Sequence, residues 1–191
     1  MAAGHVLLGF ICAAFIGGSG LPGGGGVVYE RESRERFWLQ PRGGASAVIE
    51  AARKEIGVRE VGENAGKRVD EYNGYVGFRM VPWCASFVSF CFGQAGYSEP
   101  KTAWSPALFP RGRLGSVPLP GMVMGIYFPS MGRIAHCGFV EEVRGEWVQT
   151  IEGNTGPEGS REGIGVFRRL RHKRTICKYA DWIKKEDYGK I

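Results

Sequence analysis

The sequence predicts an α+β domain, helices first and an antiparallel sheet after, and three observations predict it. Apolar residues recur at helical spacing from Val48 to Ala95, the periodicity changes to that of strands from Gly121 onward, and turn-forming residues punctuate the second half at hairpin intervals. A chain of 191 residues, 43% hydrophobic and 12% aromatic, has enough apolar material for one ordinary domain.

Residues 1–20 contain an apolar run, Val6 to Ile16, followed by Gly17-Gly18-Ser19-Gly20. This pattern fits the core and cleavage region of a signal peptide, and the run is too short to span a bilayer. No Lys or Arg precedes it, a departure from the usual signal. Residues 21–44 read as a linker: Gly23 to Gly26 is flexible, Glu30 to Arg36 mixes acid and base, and Pro41-Arg42-Gly43-Gly44 breaks regular structure. The folded domain is expected over residues 45–185.

Ser46 can cap a first helix whose inner face carries Val48, Ile49, Ala52 and Ile56, with Gly57 closing it. A short second helix is expected over Lys67 to Tyr72, with a turn at Asn73-Gly74. The third opens near Cys84, buries one face through Phe87, Val88, Cys91, Phe92 and Ala95, and stops at Gly96. Ser98 to Pro120, rich in Pro and Gly, reads as a long surface loop of the kind that shapes clefts. Strands are expected at Met122 to Phe128, Ile134 to Val143, Trp147 to Glu152 and Val166 to Leu170, with a turn over Asn154 to Gly163. Trp182 and Ile183 are expected to dock the C-terminal tail.

The chemistry begins at Cys84. Pro82 prevents an earlier helix start, so Cys84 falls in the first turn, where unpaired N–H groups and the helix dipole favour a thiolate. A cysteine there is more often a small buried hydrophobe, so its meaning depends on a base. His136 opens an apolar strand, whereas His172 lies among Arg171, Lys173 and Arg174 and reads as a surface residue. His136 and Cys137 alternate across their strand, which leaves Cys137 a core role. Glu152 and Asn154, at the end of the next strand, share one side of the chain. Either can accept a hydrogen bond from the far nitrogen of His136; equally, Glu152 can be exposed and Asn154 can begin a turn. Cys84 and Cys91 are about 10 Å apart along a helix, too far for a disulfide. No Cys or His pair has metal-binding spacing.

Trp-Cys-Ala opening a helix, Ala-His-Cys-Gly on a strand, then Ile-Glu-Gly-Asn-Thr on the following strand together resemble the CHAP family of cysteine, histidine-dependent amidohydrolases and peptidases, within the papain-like superfamily. The resemblance covers about Ala45 to Ile183. It implies a papain-like fold, helices packed on a C-terminal antiparallel sheet, and an enzyme that cuts a peptidoglycan amide, either at muramic acid and L-alanine or within the peptide stems and bridges. Carried over, Cys84 is the nucleophile, His136 the general base and acid, and Glu152 with Asn154 the orienting pair. The Cys84 backbone N–H would help to hold the oxyanion, with Tyr72, Tyr75 and Arg79 as side-chain candidates. Trp83, Trp104 and Tyr75 are the candidates for substrate contact, with Phe109 near Trp104 in the loop.

The segment Val69-Asp70-Glu71-Tyr72-Asn73 lacks the alternating acids of the calcium loop found in some CHAP members, so no metal or other cofactor is expected. No separate wall-binding domain or repeat is visible. The net charge of +6 suits an anionic partner such as wall polymer. Arg161 to Arg174 reads as either a solvated strand edge or an electrostatic contact with that wall. A secreted or periplasmic monomer at the cell envelope is expected, without nucleic acid and without a membrane span after signal removal. The alternative is a non-catalytic wall-binding module of the same fold; a nucleic-acid binder would need a motif that does not accompany the charge.

Overall fold

The computed structural model describes residues 43–158 and 163–183. The expected leader, residues 21–42 of the expected linker, Arg161 and the last residues of the expected domain lie outside them. Among the described residues, helices α1 (Gly43–Lys54), α2 (Lys67–Tyr75) and α3 (Cys84–Gln94) precede the strands β1 (Leu114–Gly115), β2 (Val123–Phe128), β3 (Arg133–Arg144), β4 (Trp147–Thr155), β5 (Gly165–His172) and β6 (Lys178–Ala180). The strands form one sheet in the order β1-β6-β2-β3-β4-β5, antiparallel throughout. The α+β expectation is met. No helix among these residues is long and apolar enough to cross a membrane.

Helix α1 buries Val48, Ile49 and Ala52 as its spacing requires, but it starts at Gly43, so Ser46 lies inside the helix and does not cap it. Helix α2 runs through Asn73-Gly74, where a turn was expected. Tertiary packing overrides the local signal there: Asn73 is fully buried and its Nδ2 donates to the Val81 carbonyl at 3.1 Å, tying α2 to the segment that leads into α3. Helix α3 is not amphipathic. Every residue from Cys84 to Phe92 is buried, because the sheet covers one side and α1 and α2 cover others.

Phe87 and Phe92 pack on Phe139 of β3, with ring centroids 6.0 and 5.4 Å apart. Tyr72 fits among Trp83, Phe87 and Phe90 at 5.5, 5.7 and 5.1 Å. Each such ring withdrawn from water contributes roughly 1.5–3 kcal/mol. The close seat of α3 on β4 depends on Gly153, where a Cβ would lie 2.7 Å from Phe87 Cγ. The opposite face of the sheet packs a smaller cluster of Met122, Met124, Val140, Val148, Ile176 and Tyr179.

The segment before β2 is more than a surface loop. It contains 3₁₀ turns at Ser105–Leu108 and Arg111–Arg113 and the short strand β1, and it buries Ser105, Leu108 and Phe109. Strands β1 and β6 are only two and three residues long, too short for a period-2 pattern to reveal. Ile183 is buried, and Trp182 Nε1 donates to the Leu108 carbonyl at 2.9 Å, so the tail docks as expected.

Candidate active site

Cys84 is the first residue of α3, and its preceding residue, Trp83, takes φ −112° and ψ 14° without a side-chain cap. The first-turn N–H groups are therefore left to whatever approaches the helix end. Trp83 is not a cleft residue: it is fully buried, and its Nε1 donates to Glu60 Oε2 at 3.0 Å. Cys84 lines a cavity of about 420 Å³ together with Ser105, Trp104, Phe78 and Ala135. Only 3% of Cys84 is exposed.

Ser105 is a residue that periodicity did not reveal. Its Oγ lies 3.3 Å from Cys84 Sγ. The loop carrying it is fastened to α3 by Ser89, whose Oγ donates to the Thr102 carbonyl and accepts from the Thr102 N–H, both at 3.0 Å. Ser89, a buried serine in α3, was the available signal that something polar packs against this helix.

His136 enters from β3 beside a bulge. Ile126 pairs with His136 while the next residue, Tyr127, pairs with Ile134, which leaves Ala135 unmatched; bulges of this kind sharpen local twist and re-aim side chains. His136 Nε2 lies 2.8 Å from Glu152 Oε2. Nδ1 is buried without a hydrogen-bond partner, and with Nε2 committed to Glu152 it is the nitrogen left for the thiol. Burial works to lower the pKa of His136, but interaction with Cys84 and then Glu152 outweighs it and raises the value to about 9.

Glu152 is held from several sides. Thr150 Oγ1 donates to Oε1 at 2.6 Å, and Arg171 donates through Nε to Oε1 at 2.8 Å and through Nη2 to Oε2 at 2.6 Å. Burial alone would raise this carboxyl, yet Arg171 and then His136 hold it at about 2. A Cβ at Gly138 would meet Glu152 Cγ at 2.7 Å, so only glycine leaves room for the carboxylate to reach across from β4 to β3.

Asn154 does not share this task. At φ 54° it is turned out of the regular strand, where the β4–β5 register shifts between Glu152 and Thr155. With its amide oriented by its neighbours, Nδ2 donates to the Gly163 carbonyl at 2.9 Å and Oδ1 accepts from the Trp83 N–H at 3.2 Å. Of the two residues left open by the sequence, Glu152 orients the imidazole and Asn154 grips the backbone just ahead of Cys84.

Cys137 enters the core as alternation requires, but it also reaches Cys84. A hydrogen bond with Cys137, and after it the imidazole of His136, holds the Cys84 thiol well below the ordinary thiol range despite burial. Burial and the Cys84 neighbour push Cys137 well above that range. The favoured state is a Cys84 thiolate beside a protonated His136 and a neutral Cys137.

The other expectations divide. Trp104 lines the cavity and is 53% exposed, whereas Tyr75 and Arg79 are not among the lining residues. Tyr72 is buried and donates to Glu55 Oε2 at 2.6 Å, which removes it as an oxyanion donor. Phe109 is buried and packs toward Gly125 instead of lining the cleft. His172 lies away from the site, against Trp147 with ring centroids 5.1 Å apart. The basic strand β5 is an edge strand, but it is not merely solvated: Arg168 pairs with buried Glu141 at 2.5 Å and Arg171 with buried Glu152. Arg171, read from sequence as one more surface cation, is part of the site. Among the described residues, no group of three or more His, Cys, Asp or Glu could hold a metal ion.

No family model matches this chain, and no curated protein does. Among solved structures, one described as "The crystal structure of Ly7917" is 16% identical with a TM-score of 0.44. The match covers 71% of this chain and 60% of that one, so the chain spans less than two thirds of that protein's length.

Proposed function

We propose that the protein is a cysteine-dependent amidohydrolase of the papain-like, CHAP type that cleaves an amide bond of peptidoglycan at the cell envelope. The observation that carries this reading is the connected set beginning at the cavity wall: the Cys84 thiol at a helix N-terminus, the buried His136 imidazole that interacts with it, and a carboxylate 2.8 Å from the imidazole's far nitrogen. Such an order of groups supplies a nucleophile, a proton carrier and an orienting acceptor. The wall as substrate rests on the motif resemblance and on a net charge of +6, which suits an anionic polymer.

In this mechanism the Cys84 thiolate attacks the scissile carbonyl and the carbonyl oxygen becomes an oxyanion. The Cys84 N–H and the Ser105 hydroxyl, whose oxygen lies 3.3 Å from the sulfur, stabilise that charge. The proton on His136 passes to the departing amine, breaking the C–N bond and leaving a thioester. Neutral His136 then takes a proton from water, hydroxide attacks the thioester, and the acid product leaves with the thiolate and imidazolium restored. Glu152 stays ionised throughout and keeps the ring in one orientation.

Zymography on peptidoglycan with wild type and Cys84→Ser tests the reading. Clearing by the wild type and its loss in the variant are expected, with new carboxyl and amine termini in the muropeptide mass spectrum. Equal clearing by both proteins removes Cys84 as nucleophile. Sedimentation with the wall without any released fragment favours the binding-module alternative.

A further inference from the structure

Two cations stand on the walls of the Cys84 cavity, and no acidic residue lines it. Arg133 lies over Trp104, with Cζ 4.1 Å from the ring centroid, and its Nη1 donates to the Ile134 carbonyl at 3.2 Å. Lys101 Nζ lies 5.0 Å from the Tyr75 centroid. Neither cation makes an ion pair with a described residue. Arg53, Arg68, Arg168 and Arg171, by comparison, are each committed to a glutamate away from this cavity. A guanidinium stacked on an indole is held in place yet keeps an edge free for a planar two-oxygen acceptor. Val76, Phe78 and Val81 supply apolar wall between the charges, which suits peptide side chains better than a uniformly charged polymer.

From this placement we infer that the cleft selects a peptide carrying carboxylates close to the bond attacked by Cys84, with Lys101 and Arg133 as the residues that recognise them. The inference deepens the hydrolase reading and rests on it for the word substrate, but the cationic cleft is measurable without turnover. Uncharged or amidated peptides of the same shape would bind less well.

The test compares alkylation of Cys84 by iodoacetate and iodoacetamide, read site by site by mass spectrometry, with exposed Cys177 as the internal reference. In Lys101→Met/Arg133→Gln the iodoacetate-to-iodoacetamide rate ratio at Cys84 is expected to fall about fivefold, the scale for two unit charges several ångströms away in a water-accessible cleft. The ratio at Cys177 stays constant. Lys101→Arg/Arg133→Lys keeps both charges and holds the ratio near wild type. In a second arm, Cys84→Ala is titrated with two acetylated pentapeptide amides differing only in a central Glu or Gln. The Glu peptide is expected to bind about fivefold more tightly, an advantage erased by the Met/Gln pair. An unchanged ratio in the Met/Gln variant, an equal fall in the charge-preserving variant, or no difference between the peptides overturns the inference. The pH dependence of labelling distinguishes the two readings: a Cys84 rate that rises only through the ordinary thiol range counts against the thiolate, while the ratio still reports on the cations.

Discussion

Glu152→Gln keeps the shape of the side chain and removes its charge, so it separates what the carboxylate does from what it fills. Arg171, 15% exposed at its side chain, would face an uncharged amide in place of the Glu152 carboxylate. Breaking a buried pair from one side costs about 3–5 kcal/mol, and urea unfolding at neutral pH should show a loss of that order. The imidazolium would face the same amide. A raised histidine pKa means stabilisation fully present below the ordinary 6.5 and lost as pH rises through about 9. The wild-type pH–rate profile on peptidoglycan should therefore carry a basic limb near 9 and an acid limb well below the ordinary thiol range, both belonging to the coupled Cys84–His136 pair. In Glu152→Gln the basic limb should move to lower pH. A limb that stays near 9 would show that Glu152 does not hold the ring.

The site sits where regular elements are interrupted: α3 begins at Cys84, β3 carries a bulge next to His136, and β4 leaves its register with β5 after Glu152. Asn154 tests the last of these. Asn154→Ala removes the bridge between the Trp83 N–H and the Gly163 carbonyl and places alanine at φ 54°. A lost hydrogen bond and a left-handed non-glycine residue together cost about 2–3 kcal/mol. Asn154→Gly removes the bridge alone and should recover about 1–2 kcal/mol of that by thermal unfolding. Both variants should keep the wild-type basic limb, since Asn154 does not touch His136. The interruptions also explain what the sequence could and could not reveal. Cys84 was legible because Pro82 and the apolar run after it mark a helix start, and His136 and Glu152 because strand alternation surrounds them. Ser105 was hidden because its position depends on Ser89 fastening a loop. Arg171 was hidden because its partner comes from a neighbouring strand, and a run of cations looks the same whether or not buried acids lie beneath it.

At the scale of the molecule, β5 is attached to the sheet by more than its ladder. Arg168 reaches buried Glu141, which also holds Arg53 of α1 at 2.7 Å, and Arg171 reaches buried Glu152. The edge strand, the first helix and the site are thus tied through two carboxylates. Both carboxyls are lowered to about 2 against burial, Glu141 by Arg168 and then Arg53, Glu152 by Arg171 and then His136. A depressed carboxyl pKa gives stabilisation present above the ordinary 4.5 and lost as pH falls through about 2. For Glu152 the full shift amounts to about 3 kcal/mol. Acidification from pH 4.5 to 2 should therefore lower the urea midpoint progressively, and amide exchange should rise first in Gly165–His172, before Val123–Phe128 at the centre of the sheet. Glu152→Gln, already without this charge, should start lower and fall less over the same interval. If the variant loses as much as the wild type between pH 4.5 and 2, the ties from β5 to the buried acids do not govern acid stability; if the strands exchange together, β5 does not open ahead of the sheet.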